Sequence, residues 1–325
     1  MNVVAVVGMG SIAKRHLANL RQLYPAARIY AVSASGSNTT LPDNADAVVS
    51  LDELIACQPD CVIVASPAPY HADVAEKLLA HDIAVLIEKP LAHNVQSCLA
   101  LQAFCTQQAR KAVAVGYCLR FLPSAQCVKD YLDNGLLGTV YNVHANVGQY
   151  LPGWRSDKNY KDSVSASKTL GGGALLELSH ELDYLYWLLG DLSLQHSWLR
   201  TTDELGLAVE DIANLILLSE KNVYVSVHLD FIQKSTQRSC EFIGQYGRLV
   251  WDLLANTVTL YHATGQVALY ANPDCNKNGM YLAMLTAFES MLSGAETPLA
   301  TVASATKVVQ LIDEAKQSNK WRQEG

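Results

Sequence analysis

The stretch Val3–Ala13, which reads VVAVVGMGSIA, decides the fold. Five apolar residues typical of a buried strand pass directly into the pattern G-x-G-x-x-A, and a helical pattern follows as far as Leu23. Gly8 permits a tight turn, Gly10 lets a pyrophosphate approach the backbone, and Ala13 lets the helix lie close to the strand. Because the N–H groups at the start of that helix attract phosphate, the stretch predicts a dinucleotide site. The alternative is an ordinary strand-to-helix turn whose small residues serve packing alone.

The composition is typical of a two-domain enzyme inside the cell. At 325 residues the chain is longer than one hydrophobic core usually supports, and 50% of its residues are hydrophobic. The net charge of −7 argues against a nucleic-acid partner. No apolar stretch reaches the roughly 18–20 residues that cross a bilayer, and no basic leader suggests a signal peptide. The eight cysteines form no C-x-x-C pair, so we expect reduced thiols and a cytoplasmic protein with no membrane partner.

Strands alternate with helices in roughly the first 120 residues, as in doubly wound sheets. Apolar runs at 28–33, 61–65, 83–87 and 112–115 predict strands, and the segments between them predict helices. This pattern predicts an α/β fold with an N-terminal Rossmann domain, a doubly wound parallel sheet, over residues 1–119. Ligands bind beyond the carboxyl ends of such strands. We therefore expect Gly8–Ala13, Ser66–Pro69 and Glu88–Pro90 to converge on one crevice.

The second half has a different pattern, with strand signals following one another. We expect strands at 140–147, 212–218, 223–231, 239–243, 248–251 and 257–261, and closing helices at 281–291 and 302–317. Residues 120–325 are thus predicted to form a C-terminal α+β domain with an open, mostly antiparallel sheet, which binds substrate and mediates oligomerisation. Apolar residues alternate along 223–229, which predicts a homodimer or homotetramer packed through that sheet.

Two residues are candidates for the chemistry. Lys89 ends a buried strand, where its charge could stabilise a developing alkoxide beside a nicotinamide; the alternative is a solvated lysine. His180 lies in a predicted continuous helix, opposite a leucine stripe and near Glu177 and Asp183. Such a histidine can shuttle the proton that accompanies hydride transfer. The preceding glycines, 171–173, would let the backbone approach a ligand.

A long polar segment, 148–170, contains Trp154 and Arg155 among other aromatic and basic residues. Loops of this length in compact domains are often functional, and these side chains would suit a polyhydroxylated or acidic ligand. A surface excursion is the alternative. Glu177-x-x-His180 resembles one arm of a di-iron site, but no second arm is present, so no metal is expected.

Five motifs occur in order along nearly the whole chain. They are Gly8-x-Gly10-x-x-Ala13-x-x-His16, Ala65-Ser66-Pro67 with His71, Glu88-Lys89-Pro90, Gly116-Tyr117-x-x-Arg120-Phe121-x-Pro123, and Gly171–Gly173 leading to His180 and Asp183. This set resembles the Gfo/Idh/MocA oxidoreductases, the relatives of glucose–fructose oxidoreductase and inositol dehydrogenase. The resemblance implies NAD or NADP, sugar or cyclitol substrates, and Lys89 and His180 as catalytic residues. Many relatives have Asp four residues before the histidine, whereas Glu177 precedes it by three, which leaves the role of Glu177 open.

The residues and the resemblance together predict an NAD(P)-dependent dehydrogenase or reductase. It would transfer a hydride between the nicotinamide and a hydroxyl or keto carbon of a sugar, cyclitol or sugar acid. A redox-neutral NAD-dependent glycosidase and a non-catalytic nucleotide-sensing regulator are the alternatives. The predicted cofactor-binding residues are Gly8, Gly10, Ser11, Ile12, Ala13, Ser33, Ser35, Ser66, Pro67, His71, Glu88 and Lys89. The predicted substrate-binding residues are Tyr117, Arg120, Trp154, Arg155, Glu177, His180 and Asp183.

The end of the second strand bears on the choice of cofactor. An NAD-preferring site usually has Asp or Glu there to bind the ribose 2′-OH. Residues 33–37 read SASGS, and the next carboxylate is Asp43. Hydroxyls with Lys14 or Arg15 as the cation would suit a 2′-phosphate, so we expect NADP in preference to NAD.

Overall fold

The computed structural model describes residues 1–33, 40–107, 112–154 and 159–318. The contacts divide the chain into two compact units. The first comprises Met1–Cys118 and Asn278–Val309. The second comprises Leu119–Lys277 and the described residues from Gln310 onward. No helix in the described ranges is both long enough and apolar enough to span a bilayer.

The elements are numbered in chain order. The strands are β1 (Val3–Val7), β2 (Arg28–Val32), β3 (Ala47–Val49), β4 (Cys61–Val64), β5 (Ala84–Glu88), β6 (Val113–Gly116), β7 (Val140–Gly148), β8 (Leu192–Arg200), β9 (Ile212–Ser219), β10 (Tyr224–Asp230), β11 (Gln237–Gly244), β12 (Gly247–Asp252), β13 (Thr257–His262) and β14 (Gly265–Ala271). The helices are α1 (Ser11–Leu23), α2 (Leu51–Ala56), α3 (His71–Leu79), α4 (Val95–Gln107), α5 (Pro123–Asp133), α6 (Ala174–Glu177), α7 (His180–Leu189), α8 (Gly279–Leu292) and α9 (Val302–Ser318).

The first unit is built on a six-stranded sheet in the order β3-β2-β1-β4-β5-β6, in which every neighbouring pair is parallel. Strands β4, β5 and β6 are buried along their whole length, as expected where helices cover both faces of a parallel sheet. The strand order reverses between β1 and β4, and dinucleotides bind beside such a reversal. The predicted Rossmann fold is therefore confirmed.

The second unit is built on an eight-stranded sheet in the order β14-β13-β12-β11-β7-β10-β9-β8. All neighbouring pairs are antiparallel except β7 and β10, so the sheet is mixed but mostly antiparallel, as predicted. Along β10, Val225, Val227 and Leu229 are buried, whereas Ser226 and His228 are half-buried. This alternation places apolar side chains on one face of the sheet, and helices α5, α6 and α7 contact it.

Residues Asn278–Val309 group with the first unit, whereas the sequence prediction assigned all of 120–325 to the second domain. Helix α8 packs against α1, and the side chains of Asn19 and Asn278 hydrogen-bond to each other. The backbone N–H of Val115 at the end of β6 also donates to the carbonyl of Ala300 at 2.9 Å. These contacts were not visible in the sequence because they join residues far apart in the chain.

The predicted continuous helix around His180 is two helices. Helix α6 ends at Glu177, and α7 begins at His180 after Leu178 and Ser179. The predicted leucine stripe is nevertheless buried, and so is Tyr184 on another side of α7. The helix is thus covered on more than one side, as its sequence indicated, with His180 in its first turn.

Candidate active site

Three strand ends meet at Gly8 in the first unit. Gly8 follows β1 with φ of +129°, and its N–H donates to the carbonyl of Val32 at the end of β2 at 2.8 Å. A Cβ at Gly8 would lie only 2.4 Å from the carbonyl oxygen of Ala65, which follows β4. Only glycine fits this conformation and this approach. Gly8 therefore brings the ends of β1, β2 and β4 together.

Gly10 and the start of α1 form an open, electropositive cradle. Gly10 precedes α1 in an extended conformation, and a Cβ built on it meets nothing within 4 Å in the described residues. No described side chain caps this helix, so the N–H groups of its first turn point outward from Ser11 and Ile12. Ala13 is fully buried, which lets α1 lie close to the sheet. This geometry suits a pyrophosphate.

The end of β5 is tied to α1 by a buried pair. His16 Nε2 lies 2.6 Å from Glu88 Oε1, and both side chains are buried. The second carboxylate oxygen of Glu88 accepts a hydrogen bond from the backbone N–H of Lys89 at 3.1 Å. Burial raises the pKa of Glu88, but His16 and Lys89 lower it and prevail, so the carboxylate is charged. Glu88 therefore fixes the backbone from which Lys89 projects.

The loops after β4 and β5 are joined through His71. Its Nε2 lies 2.6 Å from the carbonyl oxygen of Ser66, and its Nδ1 lies 2.9 Å from that of Pro90. The hydroxyl of Ser66 is buried and has no hydrogen-bond partner in the described part of the chain. A buried hydroxyl without a partner at the rim of this cradle fits a ligand that supplies one.

The predicted site residues fall into two groups by exposure. Those with accessible surface are Ser11, Ile12, Ser33, Pro67, Lys89, Trp154, Glu177 and His180. Those that are buried are Ala13, Ser66, His71, Glu88, Tyr117, Arg120 and Asp183. Ser35 and Arg155 lie outside the described residues. Because a side chain needs surface to touch a ligand, the buried residues other than Ser66 are better suited to supporting the site than to contacting a ligand.

In the second unit, Arg120 and Asp183 face each other. The guanidinium donates to both carboxylate oxygens, from Nε at 2.9 Å and from a terminal nitrogen at 2.7 Å. The residues are 5% and 1% exposed. Such a bidentate pair fixes α7 to the segment before α5, and it does so at Asp183, three residues after His180.

Glu177 also has a partner that the sequence did not indicate. The hydroxyl of buried Ser165 donates to its carboxylate at 3.0 Å, and the carbonyl of Ser165 accepts from the N–H of Gly173 at 3.0 Å. A Cβ at Gly172 would lie 2.5 Å from that same carbonyl oxygen, and one at Gly173 would lie 2.4 Å from Glu210 Oε1. The close approach expected of these glycines is therefore to the protein's own chain.

A cavity of about 410 Å³ opens beside Ser165. Trp154, Tyr160 and Asp162 also line it. The Trp154 ring packs edge-on against Phe231 with centroids 5.3 Å apart. Its Nε1 is buried and has no partner among the described residues. Aromatic, amide, hydroxyl and carboxylate groups around one cavity can bind a polar ring.

Known families match most of the chain. An oxidoreductase family described by its NAD-binding Rossmann fold matches residues 3–117, and the GFO/IDH/MocA C-terminal domain matches residues 125–250. The fold and the dinucleotide cradle define an NAD-binding oxidoreductase. The chain belongs to the GFO/IDH/MocA family. This confirms the resemblance and the predicted enzyme class, an NAD(P)-dependent dehydrogenase acting on CH–OH groups.

Individual relatives are more distant. Inositol 2-dehydrogenase 3 of Saccharopolyspora erythraea is 28% identical over 262 residues, which is 75% of this chain and 71% of the relative. A levoglucosan dehydrogenase in complex with NADH and levoglucosan has a TM-score of 0.83 at 18% identity and covers 98% of both chains. UDP-N-acetylglucosamine 3-dehydrogenase from Acidithiobacillus ferrooxidans has a TM-score of 0.78 at 16% identity and covers 98% of this chain and 97% of that one. At such identities these two structures show a shared fold.

Proposed function

We propose that the protein transfers a hydride between a nicotinamide and the hydroxyl-bearing or keto carbon of a sugar, a cyclitol or a sugar acid. The observation that carries the proposal is the cradle at Gly8–Gly10 beside the strand end that presents Lys89. The named relatives act on inositol, levoglucosan and a nucleotide sugar, which supports a polyhydroxylated substrate. Gly8, Gly10, Ser11 and the loop at Ser66–Pro67 would bind the dinucleotide.

The proposed chemistry divides between two residues. The bound dinucleotide accepts or supplies the hydride. When a hydride leaves or reaches a carbon, a proton must leave or reach the attached oxygen. Lys89 is half-buried, and its ammonium would donate a hydrogen bond to that oxygen and stabilise its negative charge. His180 would accept or return the proton, because an imidazole gains and loses protons near neutral pH.

Alanine variants test these roles. Lys89→Ala and His180→Ala should each lower turnover by about 10²–10⁴-fold and leave dinucleotide affinity and thermal stability nearly unchanged. Glu177→Gln should have a smaller effect. Exposed residues of the same types, Lys77 and His196, provide matched controls as Lys77→Ala and His196→Ala. Turnover is followed at 340 nm on a panel that begins with myo-inositol and levoglucosan. Near-full activity of His180→Ala on an active substrate would refute the acid–base assignment.

The proposed cofactor is NADP. Ser33 follows β2 directly, and the sequence has no carboxylate between Ser33 and Asp43; Ser35 would add a hydroxyl. Lys14 and Arg15 are both exposed, but the guanidinium of Arg15 lies over the ring of Tyr281 at 4.8 Å, so Lys14 is the better candidate to bind a 2′-phosphate. Fluorescence titration should give a lower Kd for NADPH than for NADH. Equal or tighter binding of NADH would reverse this choice.

The proposed substrate site includes the cavity lined by Trp154 and Tyr160. Indole and phenol rings can pack on the C–H faces of a sugar, while Asp162 can accept hydrogen bonds from hydroxyls. Ser165 joins this cavity to Glu177, three residues before His180. Arg155 would add a positive charge for a sugar acid. No metal is proposed to take part.

A homodimer or homotetramer is proposed through the sheet of the second unit. The face of β10 that presents Ser226 and His228 is half-buried, and further copies of the chain could cover it. Light scattering at micromolar concentration should give at least twice the mass of 35.4 kDa. A monomeric mass would contradict the proposal. The cytoplasm is the proposed location on composition alone.

A further inference from the structure

His71 occupies an unusual position between two loops of the cofactor cradle. It is the first residue of α3 and is only 1% exposed. Its two ring nitrogens lie within hydrogen-bond distance of two backbone carbonyls, at 2.6 Å from Ser66 and 2.9 Å from Pro90. These carbonyls belong to the loops that follow the adjacent strands β4 and β5. At 1% exposure, the His71 side chain offers almost no surface to a ligand.

In any hydrogen bond between His71 and these carbonyls, the imidazole is the donor. A carbonyl oxygen only accepts hydrogen bonds, so a ring nitrogen of His71 bonds to its carbonyl only when that nitrogen carries a proton, and the neutral ring has one such N–H. Burial lowers the pKa of His71 and prevails over both carbonyls and the carboxylate of Glu88, which act in the opposite sense. Whichever nitrogen is protonated, the ring fills the space between the loops and donates to at least one of them.

We propose that His71 is a positioning residue that orients both loops through their backbones. Its Nε2 side sets the loop of Ser66, which would bind the dinucleotide. Its Nδ1 side sets the carbonyl of Pro90 and thereby the backbone of Lys89. The inference deepens the proposed function, because it assigns dinucleotide affinity to one side of the ring and catalytic rate to the other.

Two isosteric variants separate the two sides. An asparagine amide can replace Nδ1 and donate to Pro90, whereas a glutamine amide reaches the position of Nε2 and can donate to Ser66. His71→Asn should therefore weaken NADPH binding by roughly 5–10-fold, the effect of one lost hydrogen bond, and preserve kcat at saturating cofactor. His71→Gln should preserve NADPH binding and lower kcat by roughly 10–100-fold, because Lys89 is displaced. His71→Phe should show both defects.

Amide hydrogen exchange provides a readout that needs no substrate. In His71→Asn, exchange should accelerate in residues 66–70 and stay unchanged in 88–93, and His71→Gln should give the opposite pattern. His81 provides the matched control, since it is exposed after α3 with its Nδ1 2.9 Å from the carbonyl of Lys77. His81→Asn and His81→Gln should match the wild type in both segments.

The outcomes distinguish this inference from the proposed function. If both His71 variants loosen the two segments equally, fail to fold, or behave as the wild type, the positioning role is wrong. If the segment-specific exchange appears but the wild type binds neither NADPH nor NADH, His71 positions the loops and the proposed function fails instead. If the exchange is segment-specific, and His71→Asn changes only the Kd for NADPH while His71→Gln changes only kcat, the positioning role and the proposed function are both supported.

Discussion

Replacing Asp183 with asparagine separates a structural role from a substrate-binding one. The substitution keeps the shape of the side chain and removes its charge. Arg120 is 5% exposed, and its guanidinium donates a hydrogen bond to each oxygen of this carboxylate. If the pair fixes α7, the variant loses stability; if the carboxylate binds substrate, the variant loses affinity and keeps its stability.

The magnitude follows from burial. Removing one partner of a buried ion pair leaves an uncompensated charge and costs about 3–5 kcal/mol. The free energy of unfolding of a domain is only about 5–15 kcal/mol, so this cost is a large fraction of it. For a unit of 150–250 residues each kcal/mol corresponds to about 2–4 °C in Tm, which gives a decrease of roughly 6–20 °C. The double variant Arg120→Met, Asp183→Leu should recover most of the loss, because apolar side chains of similar volume replace both charges.

Calorimetry and urea unfolding measure this effect. Lys129–Asp133 is an ion pair at 2.6 Å in the same unit with Asp133 exposed, so Asp133→Asn is the matched control, with an expected cost of at most about 0.5 kcal/mol. A Tm for Asp183→Asn within about 2 °C of the wild type, combined with a raised KM, would refute the structural reasoning and favour a substrate contact.

Three further variants test other parts of the structure. Gly10→Ala should fold with an unchanged Tm but bind NADPH at least tenfold more weakly, because its Cβ would enter the open cradle; unchanged affinity would contradict the cradle. Gly8→Ala should lose about 1–3 kcal/mol from backbone strain alone, and more from the clash with Ala65, as measured by urea unfolding. Burial raises the pKa of Asp230, but hydrogen bonds from His228 and from Gln233 lower it and prevail. The charged Asp230 carboxylate therefore stabilises the folded protein fully above about pH 4, the pKa of an aspartate in the unfolded chain. This stabilisation is lost as the pH falls through the lower pKa of Asp230 in the folded protein. Asp230→Asn should be less stable at pH 7 and lose less stability on acidification; an acid profile identical to that of the wild type would contradict this.

The sequence alone predicted those features that the residues of one short stretch determine among themselves. In Val3–Ala13, a buried strand, a glycine turn and a helix start are consecutive. Gly8 has the predicted turn conformation, and Gly10 borders open space. The alternation along Tyr224–Asp230 likewise predicted a sheet with one buried face. Local periodicity and steric restrictions determine both features.

Other features depend on residues far apart in the chain. Arg120 and Asp183 are 63 positions apart in the chain, and Ser165 reaches Glu177 across a turn. The sequence therefore showed these charged residues but not which residues they contact. Strand β8 was missed because its register shifts between Leu194 and His196, which interrupts the period of two. The break before His180 was missed because the sequence there contains no glycine or proline to indicate it.

The most direct test of the account measures cofactor and product together. The wild-type enzyme is incubated with NADP⁺ or NAD⁺ and each sugar, cyclitol or sugar acid, while absorbance at 340 nm and the organic product are quantified in the same sample. The account predicts one reduced nicotinamide for each molecule of keto product. Conversion of a substrate with no net change at 340 nm, as in a redox-neutral glycosidase, would contradict it.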